Sequence, residues 1–181
     1  MHAASTRRSV SLMMRRLGDR ARLAVEVGEV WPPDAATGDL RTVDVWAGGT
    51  WLTTVDNTAY VPSFTHYLRR DAEQVRRRDV RTCPFPERSP EEICRLLYAQ
   101  ACAGESDFSE QFRLMDWGPT ADNVTCFAYL NGDELIITLV LRDDDHLPED
   151  QEKVVVARIL ADECVAVLTE AADLLDAERV R

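Results

Sequence analysis

The chain has 181 residues, of which 45% are apolar and 29% charged, and its 21 basic side chains stand against 32 acidic ones for a net charge of −11. That length and apolar content predict a real core and exclude bulk disorder. No apolar run reaches the ~18–20 residues of a membrane span, and so acidic a body repels phosphate backbones, so neither membrane nor nucleic acid is expected as a partner.

The charge is segregated. Residues 1–22 carry six Arg and one Asp, and read as a basic, disordered tail or as a gene start placed upstream of Met13 or Met14. The domain is therefore expected over 23–181. Within it, residues 89–181 hold seven bases against twenty-one acids, a local charge of −14. Such a surface favours a basic protein as partner and speeds that encounter. A charged surface also serves solubility alone.

From 23 to 30, Leu23, Val25 and Val27 alternate with Ala24, Glu26 and Gly28, which predicts a half-buried strand. Trp31-Pro32-Pro33 ends it. A second strand is expected over 40–47 and a third over 50–55, joined by a two-residue turn at Gly48-Gly49, since glycine accepts positive φ freely. Trp46 and Trp51 flank that turn and are expected to meet across the hairpin. A helix from 64 to 78 follows, with Ser63 as its cap, a buried stripe of Phe64, Tyr67, Leu68 and Val75, and a basic face of Arg69, Arg70, Arg76, Arg77 and Arg78. That face reads as a solvated one with acidic neighbours, or as an anion patch.

Ser89-Pro90-Glu91-Glu92 has the form of a capping box, and predicts a helix to about residue 103, stopped by Gly104. Residues 105–121 are ambiguous. Strands over 124–130 and 134–141 enclose Asn131-Gly132, a strong hairpin signal. Leu135, Ile137, Leu139 and Leu141 share one face of the second of these strands, with Ile136 and Val140 on the other, so it is expected to lie centrally in its sheet. A strand over 153–160 and a helix from Asp162 to about 178 close the chain. The order βββααβββα with hairpin connections predicts an α+β domain, a mainly antiparallel sheet of about six strands with three helices. Two separate three-stranded halves are the alternative.

Candidate chemistry is sparse. Cysteines stand at 83, 94, 102, 126 and 164, without a CxxC pair or a zinc spacing, and read as reduced thiols. The three histidines, His2, His66 and His146, lie in no recognised motif. No phosphate loop, nucleophile elbow or dinucleotide fingerprint occurs. No catalytic residue, metal or cofactor is therefore expected. The acidic loop Asp143, Asp144, Asp145, Glu149, Asp150 and Glu152 could be a partner contact, a hard-cation site with His146, or a plain solvated loop. Neighbouring residues of an extended chain point in different directions, which disfavours the cation.

The segment Val43-Asp44-Val45-Trp46-Ala47-Gly48-Gly49-Thr50-Trp51-Leu52, followed by Asp56 and a helix, resembles bacterial immunity proteins that neutralise polymorphic toxins. The closing strand and helix over 154–175 are similar too. The resemblance implies a cytoplasmic, non-catalytic protein that binds and blocks one toxin. The partner contacts expected on this reading are the acidic loop together with Trp46 and Trp51. A dimeric adaptor or effector chaperone, possible as a homodimer, and an enzyme with an unrecognised site are the competing readings.

Overall fold

The computed structural model describes residues 14–33, 38–54, 56–104, 106–141 and 153–179. It is an α+β fold with antiparallel pairing, as expected, but with two sheets, of five and three strands, in place of one sheet or of two three-stranded halves. The first sheet contains β1 (Arg15–Asp19), β2 (Leu23–Val30), β3 (Leu40–Ala47), β4 (Thr50–Trp51) and β5 (Thr58–Tyr60). Its order is β1-β2-β3-β4, with β5 paired to the same β3. The second contains β6 (Val124–Asn131), β7 (Glu134–Leu141) and β8 (Val154–Leu160), in that order. The helices are α1 (Val61–Arg76), α2 (Pro90–Cys102), the short α3 (Ser106–Glu110) and α4 (Ala161–Ala177), with a 3-10 turn at Gly118–Ala121.

Both glycine turns are hairpins. Trp46 pairs with Trp51 and Ala47 with Thr50, leaving Gly48 and Gly49 as the loop at φ 54° and 76°, as a type I′ turn requires. In the second hairpin Asn131 still pairs with Glu134. The loop is thus Gly132-Asp133, one residue later than expected, with Gly132 at φ 64° in the first central position.

The third expected strand is divided. β4 stops at Trp51, and the Thr53 hydroxyl takes over the ladder, accepting from Val45 N and donating to Val43 O. Backbone bonds to β3 flank it, with Leu52 N donating to Val45 O and Val43 N donating to Asn57 O, and strand pairing resumes at β5. The expected tail boundary at residue 22 is corrected as well. Arg15–Asp19 is a strand paired along its length with β2, and Leu17, opposite Val25, packs against the core. Residues 1–13 lie outside the described residues.

β7 is central in the second sheet, as its apolar faces predict. Leu135, Ile137 and Leu139 point into a core that also holds Val25, Val43 and Val45 from the first sheet, Phe64 and Leu68 from α1, and Leu168 and Ala171 from α4. Ile136 and Val140 point the other way, to Phe127, Tyr129 and to Ile93, Cys94 and Leu97 of α2. Helices α1 and α4 cover the inner face of the first sheet. The capping box at α2 is present, with Glu92 N donating to Ser89 Oγ and Ser89 N donating to Glu92.

Two other expected caps are corrected. α1 begins at Val61 after Tyr60, and α4 at Ala161 after Leu160, neither with a side-chain cap. Each helix instead starts directly from a strand and gives its first N–H to a distant carbonyl. Val61 N donates to Asp39 O at 2.7 Å and Ala161 N to Asp133 O at 2.9 Å. Orphan donors at a helix start need an acceptor, and a tertiary carbonyl serves as well as a side chain.

Candidate functional site

Alternation along β3 divides its side chains. Val43, Val45 and Ala47 enter the core, so Thr42, Asp44 and Trp46 face outward. Cross-strand register places Ala24 of β2 and Trp51 of β4 beside Trp46, and Glu26 beside Asp44. At the far end Leu40 pairs with Tyr60. The outer face is therefore a band about 20 Å long along β3. Leu40 and Tyr60 stand at one end and the two tryptophans at the other, with hydroxyls and carboxylates between. Tyr60 is 52% exposed, Trp51 37% and Leu40 36%. Exposed aromatics clustered on one face mark interaction surfaces more often than scattered ones do.

The tryptophan end is rigid. The Trp46 and Trp51 rings are stacked, with centroids 6.1 Å apart and planes 18° from parallel. Trp51 Nε1 donates to the buried Thr53 hydroxyl at 3.0 Å. The Arg20 guanidinium lies over the Trp46 ring, 4.2 Å from its centroid, and forks onto Glu26 at 2.7 and 2.6 Å. The hydrogen bond to Glu26 holds Arg20 above its ordinary pKa. Glu26 is almost wholly buried, and a buried carboxylate needs such a partner. Asp44 accepts one hydrogen bond, from the Asn57 amide at 2.9 Å.

The acidic loop carrying Asp143, Asp144, Asp145, Glu149, Asp150 and Glu152 lies outside the described residues. Of the expected contact residues, the structure therefore places Trp46 and Trp51, and brings them together. Sequence reasoning missed Glu26, Asp44, Leu40 and Tyr60. Register alone shows that these share the outer face, and the turn at Gly48-Gly49 was the signal from which part of that register follows.

The basic face of α1 is a solvated one with acidic partners. Arg69 pairs with Asp173 and Asp176, Arg70 with Asp71, Arg76 and Arg77 with Glu73, and Arg78 with Asp133. The thiols of Cys94, Cys126 and Cys164 are buried and unpaired. Burial pushes Cys164 up to about 12 and Cys126 well up, which makes both poor nucleophiles. A small cavity of about 10 Å³ lies between the sheets, lined by Val45, Leu52, Met115, Trp117 and Leu139 among others. It has room for about one water. Among the described residues no group of three His, Cys, Asp or Glu could hold a metal ion, and no helix is long and apolar enough to cross a membrane.

No protein-family model matches the chain, and no curated protein does. A solved structure, that of CdiI from Burkholderia dolosa AUO158, matches with a TM-score of 0.61 over 88% of this chain and 99% of that one, at 16% sequence identity. The two chains share a fold.

Proposed function

We propose that the protein is an immunity protein, a non-catalytic, cytoplasmic binder that blocks one basic toxin. The observation that carries this reading is the fold likeness to CdiI, which spans 99% of that chain and so involves the whole of its architecture rather than a shared fragment. Two features of this chain support it further. Its net charge of −11 favours fast encounter with a basic protein. The outer face of its first sheet presents Tyr60 and Trp51 to solvent, with the two indoles stacked, and aromatic anchors are the residues that dominate binding energy in protein interfaces. The acidic loop over 143–152 steers the encounter, and Trp46 and Trp51 lie in the contact.

The experiment is growth rescue. The genes flanking this one are searched for a toxin, whose domain is expressed in bacteria, alone and with the protein; finding none counts against the reading. Restored growth, with a one-to-one complex by size-exclusion chromatography and light scattering, is expected. Persistent growth arrest, or a tight homodimer that takes up no toxin, overturns the reading in favour of an adaptor.

A further inference from the structure

On the outer face of the first sheet one arrangement occurs twice. Trp46 stands opposite Ala24, so Glu26, two residues on, is its diagonal neighbour on β2. Trp51 stands opposite Trp46, so Asp44, two residues back, is its diagonal neighbour on β3. Diagonal neighbours on one face of an antiparallel pair lie ~7–8 Å apart, within reach of one long side chain. Each indole is thus paired with a carboxylate in the same direction, and the second pair is the first displaced by one strand.

The first pair is filled from within. Arg20 stacks on Trp46 and forks onto Glu26, so its planar guanidinium satisfies the ring face and the carboxylate together. The second pair has no such group. Among the described residues Asp44 accepts from the Asn57 amide and forms no ion pair; Arg20, bonded to Glu26, acts on it only through space. It also stands directly opposite Glu26, a like-charge pairing that Arg20 offsets from the Glu26 side only. Trp51 is 37% exposed, and Thr53 fixes its ring.

We infer that the Trp51–Asp44 pair is the recognition point for an arginine of the partner protein, which stacks on the Trp51 indole and pairs with the Asp44 carboxylate. The partner's arginine repeats, one strand over, what Arg20 does at Trp46 and Glu26. It supplies a cation on the Asp44 side of the like-charge pair, as Arg20 does on the Glu26 side. Lysine fits less well, because a point charge cannot lie flat on the indole and fork onto a carboxylate at once. This inference rests on the toxin-binding reading and names the chemistry of that contact.

The test is calorimetric titration of the full chain with the toxin domain that the growth-rescue experiment identifies, at two salt concentrations. Asp44→Asn, which keeps the shape and removes the charge, is expected to weaken binding about 10-fold or more and to lower its salt dependence. Trp51→Ala is expected to weaken it at least as much, and Trp51→Phe to fall between. Both positions face outward, and unchanged circular dichroism and melting temperature establish that the variants are folded. Asp44→Asn or Trp51→Ala within twofold of wild type overturns the inference while the toxin-binding reading stands. Absence of binding by the wild-type protein overturns both.

Discussion

The Asp71 carboxylate and the Trp117 indole meet 2.8 Å apart inside the core, 46 residues apart in sequence. The same carboxylate oxygen accepts from Met115 N at 2.9 Å, where the backbone takes a φ of 58°. Asp71 is fully buried and lies on α1, so one side chain ties the irregular segment before β6 to the helix that covers the first sheet. Asp71→Ala leaves two buried donors without an acceptor and is expected to cost about 3–5 kcal/mol in urea denaturation.

The pH dependence of that site has a definite sign. Burial pushes the Asp71 carboxyl up, against the opposing pull of Arg70 and of the Trp117 and Met115 hydrogen bonds. A carboxyl raised on folding binds its proton more tightly in the native state. Its ionisation therefore costs stability as pH rises from the unfolded value of about 3.9 through the native one. Asp71→Asn has no such titration, so its stability relative to wild type is expected to improve across that window. Denaturation at a series of pH values measures the difference, and a constant gap would show that folding leaves this carboxyl unperturbed.

The two glycines of the first hairpin are predicted to be unequal. A Cβ on Gly48 would lie 2.5 Å from Val156 O, whereas one on Gly49 would meet nothing within 4 Å. Both have positive φ, so either alanine costs about 1–2 kcal/mol in backbone strain. Gly48→Ala must in addition push the hairpin off β8, and is expected to lose a further ~1–3 kcal/mol. Equal melting temperatures for the two variants would mean that the hairpin is not seated on β8.

Leu139 is wholly buried on the inner face of β7 and borders the small cavity between the sheets. Leu139→Ala is expected to destabilise by about 2–5 kcal/mol, since the lost methyl groups enlarge a void that rigid strands cannot close. A loss below about 1 kcal/mol in chemical denaturation would count against its place at the centre.

For the acidic loop, replacing Asp143, Asp144 and Asp145 with Asn is expected to slow association with the toxin domain and flatten its salt dependence. Folding stability is expected to remain nearly unchanged, because so polar a run of sequence contributes to the encounter rather than to a core. Stopped-flow association at low and at physiological salt reads this, and equal rates for wild type and triple variant would place the steering charge elsewhere.

What was legible in the sequence is what is encoded within a few residues. Gly48-Gly49 and Ser89 with Glu92 announce their turn and their cap because the groups that form them are neighbours in the chain. The periodicity of β7 showed its central place because both faces are apolar. The starts of α1 and α4 were misplaced because their first N–H groups are satisfied by Asp39 and Asp133, whose carbonyls are chemically silent in a sequence. β1 was missed because an edge strand covered on one side needs little inward apolar surface, and only Leu17 marks it. The Trp51–Asp44 arrangement escaped notice for a related reason. Its two members are obvious residues, but their adjacency exists only once β3 and β4 are in register.

The division of β3 into inward Val43, Val45 and Ala47 and outward Thr42, Asp44 and Trp46 separates two kinds of heritable change. An inward substitution alters the volume of a core shared by two sheets and two helices, and the whole molecule bears its cost. An outward substitution at 42 or 44, both half-buried, meets a few neighbours on the sheet face and leaves the core volume alone, and changes outside a core usually stay within about 0.5 kcal/mol. The fold can thus be readdressed to a new partner by rewriting alternate letters of one strand, with its melting temperature left where it was.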